Sequence, residues 1–147
     1  MNKDNLVEDH VVPQPPAGYR LASGRGQFTT HNGPYYNLEE PGEGSAQAFY
    51  ALSRHANGLG LVHGGMLSAF MDGLLAAAAY RATQKTGVTI HLSINFLHMA
   101  RVGEWVMGEA KVTRSTRDIA FVEGRAYVGG HDVVRASGVF KLMNRRS

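Results

Sequence analysis

The sequence has 147 residues, 44% of them hydrophobic and 18% charged, which fits one soluble globular domain with its own core. The formal net charge is only +3 and the basic residues are scattered, which excludes the basic stripe of a nucleic-acid-binding protein. Cysteine is absent, which excludes disulfides and a cysteine nucleophile, and the longest run without a polar residue, Gly73–Tyr80, is too short to span a membrane. We therefore predict a cytoplasmic protein with no membrane or nucleic-acid partner.

Proline is confined to the beginning of the chain. All five prolines lie at or before position 41, and three of them fall close together in the stretch VVPQPPAG. Proline fixes the backbone and removes a hydrogen-bond donor, so such a stretch disfavours helices and central strands. Residues 1–25 are therefore predicted to form an N-terminal arm that is partly extended or mobile, and residues 26–147 to form the folded domain.

The next part of the chain predicts two strands and a helix. Residues 35–38 and 46–52 have the composition of short strands, and the turn-forming stretch EEPGEGS joins them. A glycine-bearing loop over residues 53–62 follows. Residues 64 to about 83 then show apolar side chains at three- and four-residue spacing, typical of a helix, at Met66, Leu67, Phe70, Met71, Leu74 and Leu75. Thr86 and Gly87 are assigned to the loop after it.

Beyond this helix the apolar period changes from 3.6 to 2. The stretches TIHLSINF, EWVMGEAKVTR, IAFVEGRAYVG and DVVRASGVFKLM each have the character of a strand, and the last two breaks between them are tight turns. The order of two strands, one long helix and four strands predicts a two-layer α+β domain. Because the helix is apolar over more than half of its circumference, the sheet should wrap around it or a partner should cover the rest.

The start of the predicted helix carries two glycines, Gly64 and Gly65. They leave the first backbone N–H groups unshielded by side chains, and these groups have no acceptor within the helix. Such an end can hold an anion or the developing negative charge of a carbonyl oxygen under attack. The alternative is that the glycines only permit a tight turn or close packing.

Asp72 is a carboxylate within the most apolar stretch of the chain. It lies four residues after Ser68 and seven after Gly65, so these residues share a narrow face of small side chains on which a substrate could approach closely. A carboxylate in these surroundings should be partly desolvated, which suits a general base. The alternative is a carboxylate that is hydrogen-bonded into the core or faces solvent.

The histidines and glycines do not predict a metal or a nucleotide cofactor. None of the seven histidines is paired at the helical spacing of metal ligands, and the stretch GLGLVHGG lacks the parallel β-α-β pattern of a dinucleotide site. No G-x-S-x-G elbow is present, although spacing alone leaves a Ser-His-Asp triad open.

The motif Asn57–x5–His63–Gly64–Gly65–x6–Asp72 resembles that of the hot-dog fold acyl-CoA thioesterases, in particular the phenylacetate-pathway and 4-hydroxybenzoyl-CoA branch. The resemblance covers residues 35–143. It implies a long central helix wrapped by an antiparallel sheet of five to six strands, with residues 26–147 as the thioesterase domain. It further implies hydrolysis of an acyl-CoA without a cofactor or a metal, by a homodimer or a dimer-of-dimers homotetramer whose active sites lie between subunits.

The same resemblance assigns roles to individual residues. It implies that the Gly64 N–H polarises the thioester carbonyl. Asp72, from the neighbouring subunit, would activate water as the general base or attack directly as a nucleophile. Asn57 would position the water or the carbonyl, His63 would shape the site and contact the thioester arm, and Thr89 would orient the water.

Substrate-binding residues are predicted along the helix and in two turns. Gly65, Ser68 and Phe70 should line the acyl pocket, over which the proline-bearing arm could fold. Arg101 and Arg117 are candidates for contacts with the CoA nucleotide.

Two other functions remain open for a hot-dog domain. A non-catalytic acyl-CoA binding or sensing protein would keep the glycine-rich helix start but would not need Asp72. An acyl-thioester dehydratase or hydratase is the third possibility, although such enzymes usually pair their histidine and acid differently.

Overall fold

A computed structural model describes residues 11–144, so the first ten residues of the predicted arm and the last three of the predicted domain lie outside it. One long helix packs on a single antiparallel sheet. The elements are β1 (Tyr19–Leu21), α1 (Gln27–Asn32), β2 (Tyr35–Leu38), β3 (Ser45–Tyr50), a 3₁₀ turn (Ser53–His55), α2 (Gly64–Thr83), β4 (Thr86–Phe96), β5 (Trp105–Ser115), β6 (Ile119–Val128) and β7 (His131–Met143). The order across the seven-stranded sheet is β1-β2-β3-β5-β6-β7-β4. The predicted α+β arrangement of one long helix and an antiparallel sheet is confirmed.

The helix α2 begins and ends where the sequence predicts. It starts after the N-cap residue His63 and ends at Gln84, which adopts the left-handed conformation with φ of 60°. Eight of its residues are buried: Met66, Leu67, Phe70, Met71, Leu74, Leu75, Ala78 and Ala79. In residues 11–144 no helix is both long and apolar enough to cross a membrane.

The sheet wraps closely around α2. Phe49 of β3 meets Phe70 edge-on, with ring centroids 4.9 Å apart, and both side chains are fully buried or nearly so. At Gly108 of β5, an added Cβ would lie 2.7 Å from the Leu74 side chain and 2.8 Å from the Phe70 ring. The helix can therefore pack this close to β5 only because position 108 carries no side chain.

The N-terminal part of the sheet differs from the prediction. The sheet has seven strands rather than five to six, because Tyr19–Leu21, within the predicted arm, pairs with β2. A three-residue strand next to prolines has too few residues to show a period of two. The short helix α1 and the 3₁₀ turn were not predicted for the same reason.

The loop predicted at Thr86 and Gly87 is wrong. Both residues belong to β4, where Thr86 pairs with Met143 and Gly87 with Leu142 of β7. Glycine and threonine at a helix end resemble loop residues in sequence, but here Gly87 lets the strand lie close to the Phe140 side chain, 3.1 Å from the position of a Cβ.

Strand β4 forms one edge of the sheet. It is 11 residues long and pairs with β7 along one side only. Its side chains Val88, Ile90 and Phe96 are 53%, 57% and 55% exposed. A long edge strand with exposed apolar side chains is a ready template for pairing with another strand.

Candidate active site

The start of α2 leaves the backbone N–H of Gly64 without a partner in the described residues. The Gly65 N–H donates to Nδ1 of His63, the N-cap residue, over 2.8 Å. The Gly64 N–H makes no hydrogen bond to any residue of the range 11–144. A Cβ at Gly64 would lie 3.4 Å from the Phe96 ring, so this donor sits beneath an aromatic edge. An N–H at the positive end of a helix dipole can stabilise an oxyanion.

His63 has a structural role that the sequence did not predict. Its Nδ1 accepts the Gly65 N–H, which takes one of the two glycine donors and caps the helix. Its backbone N–H donates to the His55 carbonyl oxygen over 2.9 Å, so the helix start is tied to the 3₁₀ turn. Its predicted contact with the thioester arm stays a prediction.

Asn57 shapes the loop before the helix. Its Oδ1 accepts the backbone N–H groups of Leu59 over 2.9 Å and of Leu61 over 3.2 Å, and its own N–H donates to the Leu61 carbonyl oxygen over 2.8 Å. These bonds close the loop over residues 57–61 and fix the amide plane. The Nδ2 group makes no hydrogen bond within the described part of the chain and remains able to donate to a substrate or water.

Asp72 and Thr89, which are 17 residues apart, meet in space. Thr89 Oγ1 donates to Asp72 Oδ1 over 2.6 Å, and Asp72 is partly buried. The register of β4 against β7 shifts between Thr89 and His91, so a bulge at Ile90 turns the strand at this point. A bulge of this kind re-aims the neighbouring side chain. The structure thus brings together two of the predicted site residues and fixes one oxygen of the carboxylate.

The structure does not bring Asp72 together with Gly64. The two residues are eight positions apart on one continuous helix, which corresponds to about 12 Å along its axis. No hydrogen bond joins the Gly64 N–H to the Asp72 carboxylate within the described part of the chain.

A cavity of about 350 Å³ lies beside Asp72. Its walls come from α2, β4 and the N-terminal segment: Arg25, Phe28, Thr29, Tyr35, Gln47, Ser68, Ala69, Phe70, Asp72, Gly73 and Leu92. Ser68 and Phe70 line this cavity, whereas Gly65 does not, and the predicted role of the three in binding the acyl group stays a prediction. Ser68 Oγ itself donates to the Gly64 carbonyl oxygen over 2.8 Å, within the helix. The volume and the mostly apolar lining are those of a small-ligand site.

The sequence suggested that the N-terminal arm could fold over the pocket but did not identify Arg25 as part of the cavity wall. Arg25 Nη2 donates to the Gly73 carbonyl oxygen over 3.1 Å, across 48 positions of the chain. Burial lowers the pKa of the Arg25 guanidinium, although the group stays charged at neutral pH. No motif or periodicity connects such distant positions, so only the fold reveals this wall.

Arg101 and Arg117 lie in exposed turns, as predicted. The Arg101 N–H donates to the Glu104 carboxylate over 2.7 Å, and the Arg117 carbonyl oxygen accepts from Lys85 Nζ over 2.8 Å. Neither arginine lines the cavity beside Asp72. Their role in nucleotide binding stays a prediction.

Solved structures of similar fold include thioesterases and proteins of phenylacetate degradation. A mutant of the phenylacetic acid degradation protein PaaI from Thermus thermophilus has a TM-score of 0.71 and 20% identity, with 79% of this chain and 98% of that chain covered. A hypothetical thioesterase from Streptococcus pneumoniae, solved with coenzyme A, has a TM-score of 0.70 and 17% identity, with 88% and 98% covered. These likenesses confirm the hot-dog fold that the sequence motif predicted.

Sequence comparison identifies the family. The family model of the thioesterase superfamily matches residues 59–134, which include the start of α2, Asp72 and Thr89. A protein of Pseudomonas aeruginosa named "Putative esterase PA0474" is 34% identical over 112 residues, which are 75% of this chain and 84% of that protein. With the motif, the fold and both matches in agreement, this chain belongs to the thioesterase superfamily.

Proposed function

We propose that this protein hydrolyses an acyl-CoA to the free acid and CoA, at active sites shared between two copies of the chain. The observation that carries the proposal is the partly buried Asp72 carboxylate, held by Thr89 at the wall of a cavity large enough for an acyl group. Membership of the thioesterase superfamily supports the reaction type, and the coenzyme A bound to the Streptococcus pneumoniae protein supports the thiol. The proposed location is the cytoplasm.

The proposed reaction uses Asp72 as a general base. Asp72 takes a proton from water while the water oxygen attacks the thioester carbonyl carbon, and the Gly64 N–H stabilises the oxyanion that forms. Collapse of this tetrahedral intermediate breaks the C–S bond, and the CoA thiolate leaves and is protonated. The hydrogen bond from Thr89 fixes the carboxylate. Direct attack by Asp72 would give an acyl-enzyme anhydride, but the short side chain of aspartate favours activation of water.

A second copy of the chain supplies the missing half of each site. Because about 12 Å of helix separate Gly64 from Asp72 in one chain, the base and the oxyanion donor at one carbonyl come from different subunits. The free edge of β4, with its exposed apolar side chains, is the surface suited to pair with a second copy. Thr89 lies on this strand, so the base stands close to the proposed dimer interface.

The remaining predicted residues have supporting roles. The free amide N–H groups of Asn57 can orient water or the thioester carbonyl beside the helix start. His63 holds that start in place through its cap on Gly65. Arg101 and Arg117 are proposed to contact the CoA phosphates, since guanidinium groups bind phosphate through paired hydrogen bonds.

The test is hydrolysis of a panel of acyl-CoAs by the wild type and by Asp72→Asn. Asparagine keeps the shape of the side chain and removes the base, so we expect turnover to fall at least about a hundredfold with binding largely kept. Glu40→Gln, which neutralises an exposed carboxylate in a loop, is the matched control and should leave turnover unchanged. Unchanged turnover of the whole panel by Asp72→Asn, or no hydrolysis of any acyl-CoA by the wild type, would refute the proposal.

A further inference from the structure

The cavity beside Asp72 contains a cation, Arg25, that forms no ion pair within residues 11–144. The Arg25 guanidinium lines this cavity and is partly buried. One of its N–H groups bonds to the Gly73 carbonyl oxygen, and it forms no ion pair with any carboxylate among residues 11–144. A guanidinium carries five N–H donors, so four remain for another acceptor.

A glutamine side chain lines the same cavity. Gln47 of β3 is only 4% exposed, lines the cavity and makes no side-chain hydrogen bond within the described part of the chain. Its neighbour across the sheet is Asn37 of β2, whose Oδ1 is buried without a partner in the described residues. Because the Gln47 amide faces the cavity and has no partner among residues 11–144, its N–H and C=O groups are available to a ligand atom.

The two groups together select the chemistry of that ligand. A partly buried charge is costly unless it is paired, and Arg25 is best paired by a carboxylate that accepts two parallel N–H bonds. An amide N–H of Gln47 can add a further donor to the same carboxylate. The aromatic rings of Phe28, Tyr35 and Phe70 supply apolar walls for the carbon chain that would carry it.

We propose that the acyl group of the substrate ends in a second carboxylate, which Arg25 and Gln47 bind inside the cavity. This inference rests on the proposed acyl-CoA hydrolysis and names its substrate class, the half-thioesters of dicarboxylic acids. Arg25 then also offsets the repulsion between the substrate carboxylate and the Asp72 carboxylate. A neutral side chain at position 25 would lose both the hydrogen bonds to the substrate and this compensating charge.

The experiment compares binding of two thioesters of equal chain length, adipoyl-CoA and hexanoyl-CoA, which differ only in the terminal carboxylate. Binding is measured by calorimetry on Asp72→Asn protein, so that hydrolysis does not interfere. We expect adipoyl-CoA to bind about tenfold to a hundredfold more tightly, as for a hydrogen-bonded charge. Adding Arg25→Gln should remove this preference, Arg25→Lys should keep part of it, and Gln47→Leu should reduce it.

The matched control is Arg20→Gln, which removes an exposed arginine of β1 that pairs with Glu39 at the surface. This variant should keep the full preference for adipoyl-CoA. Equal binding of the two thioesters, or a preference that survives Arg25→Gln, would overturn the inference. If the thermal melting curve shows that Arg25→Gln does not fold, Gln47→Leu replaces it as the test. An undiminished preference for adipoyl-CoA in Gln47→Leu would then overturn the inference.

The failure of this inference is distinguishable from the failure of the proposed function. If the wild type hydrolyses hexanoyl-CoA as fast as adipoyl-CoA and binds both equally, the proposed hydrolysis of acyl-CoA is supported and the proposed dicarboxylic substrate is refuted. If neither thioester is hydrolysed but adipoyl-CoA binds more tightly in an Arg25-dependent manner, the proposed ligand class is supported and the proposed hydrolytic function is refuted.

Discussion

Mixing two inactive variants should restore activity if each active site is built from two chains. The first variant, Gly64→Pro, removes the proposed oxyanion donor, because proline has no backbone N–H. Proline is well tolerated at the first position of a helix, and His63 before it has φ of −62° and ψ of 138°, an extended conformation that proline accepts. The second variant, Asp72→Asn, removes the proposed base.

The size of each loss follows from the chemistry of the group removed. Loss of one oxyanion donor lowers turnover by about 10²–10³-fold, and loss of a general base by about 10²–10⁴-fold. Gly64→Ala is the control for the first variant, because it keeps the N–H and adds only a Cβ at 3.4 Å from the Phe96 ring. It should retain most of the activity.

The assay mixes the two variants in equal amounts in urea, refolds them together and measures acyl-CoA hydrolysis. In a mixed dimer one site carries both lesions and the other carries neither. Random pairing makes half of the dimers mixed, so about a quarter of the wild-type activity should return. Each variant refolded alone should remain inactive.

A second mixture serves as the negative control. Asp72 and Thr89 are hydrogen-bonded within one chain, so Asp72→Asn mixed with Thr89→Val creates no site free of both lesions. This mixture should show no more than the average of its two components. Failure of the Gly64→Pro and Asp72→Asn mixture to recover, although sedimentation shows mixed dimers, would refute the shared site.

Two further predictions concern stability. Gly108→Ala should lower the free energy of unfolding by about 1–3 kcal/mol in urea denaturation, because its Cβ would lie 2.7 Å from the Leu74 side chain. The control Gly130→Ala, whose Cβ would have no atom within 4 Å, should have little effect. Equal stability of the two variants would contradict the close packing at Gly108. Hydrogen bonds from Arg125 and Arg135 hold the pKa of the Asp132 carboxyl below its usual value. The contribution of Asp132 to stability is therefore present above its pKa in the unfolded chain and is lost as the pH falls through its pKa in the folded protein. Below about pH 4 the melting temperature should therefore fall less steeply with pH in Asp132→Asn than in the wild type. Parallel melting curves of the two proteins against pH would contradict this.

The sequence predicted those parts of the fold that follow from local periodicity. The helix over residues 64–83 and the four long strands after it each repeat their apolar pattern often enough to be recognised. The pattern did not predict the bulge at Ile90, which breaks the alternation of β4 and leaves this side chain 57% exposed while Leu92 remains partly buried. A bulge shifts the pairing of the strand by one residue, and no particular amino-acid composition marks its position in the sequence.

The candidate site was predicted in the same uneven way. Asp72 and Thr89 could be named from motif and position, and in the structure Thr89 Oγ1 lies 2.6 Å from Asp72 Oδ1. Arg25 and Gln47 could not, because an arginine in a polar segment and a glutamine in a short strand look like ordinary surface residues. Their burial depends on how the chain folds back over α2, which no local pattern encodes.

The hydrogen bond from Arg25 to the Gly73 carbonyl oxygen bears on how this enzyme could change its selectivity. The segment that forms one cavity wall touches the helix through a backbone atom, which every residue type offers. At Gly73 itself a Cβ would lie 2.9 Å from Nη2 of Arg25, so a side chain there would displace the flexible end of Arg25, whereas the residues of the wall can vary. Exchanging residues 24–32 between relatives should therefore change the shape of this cavity while leaving the proposed base and the proposed oxyanion donor in place.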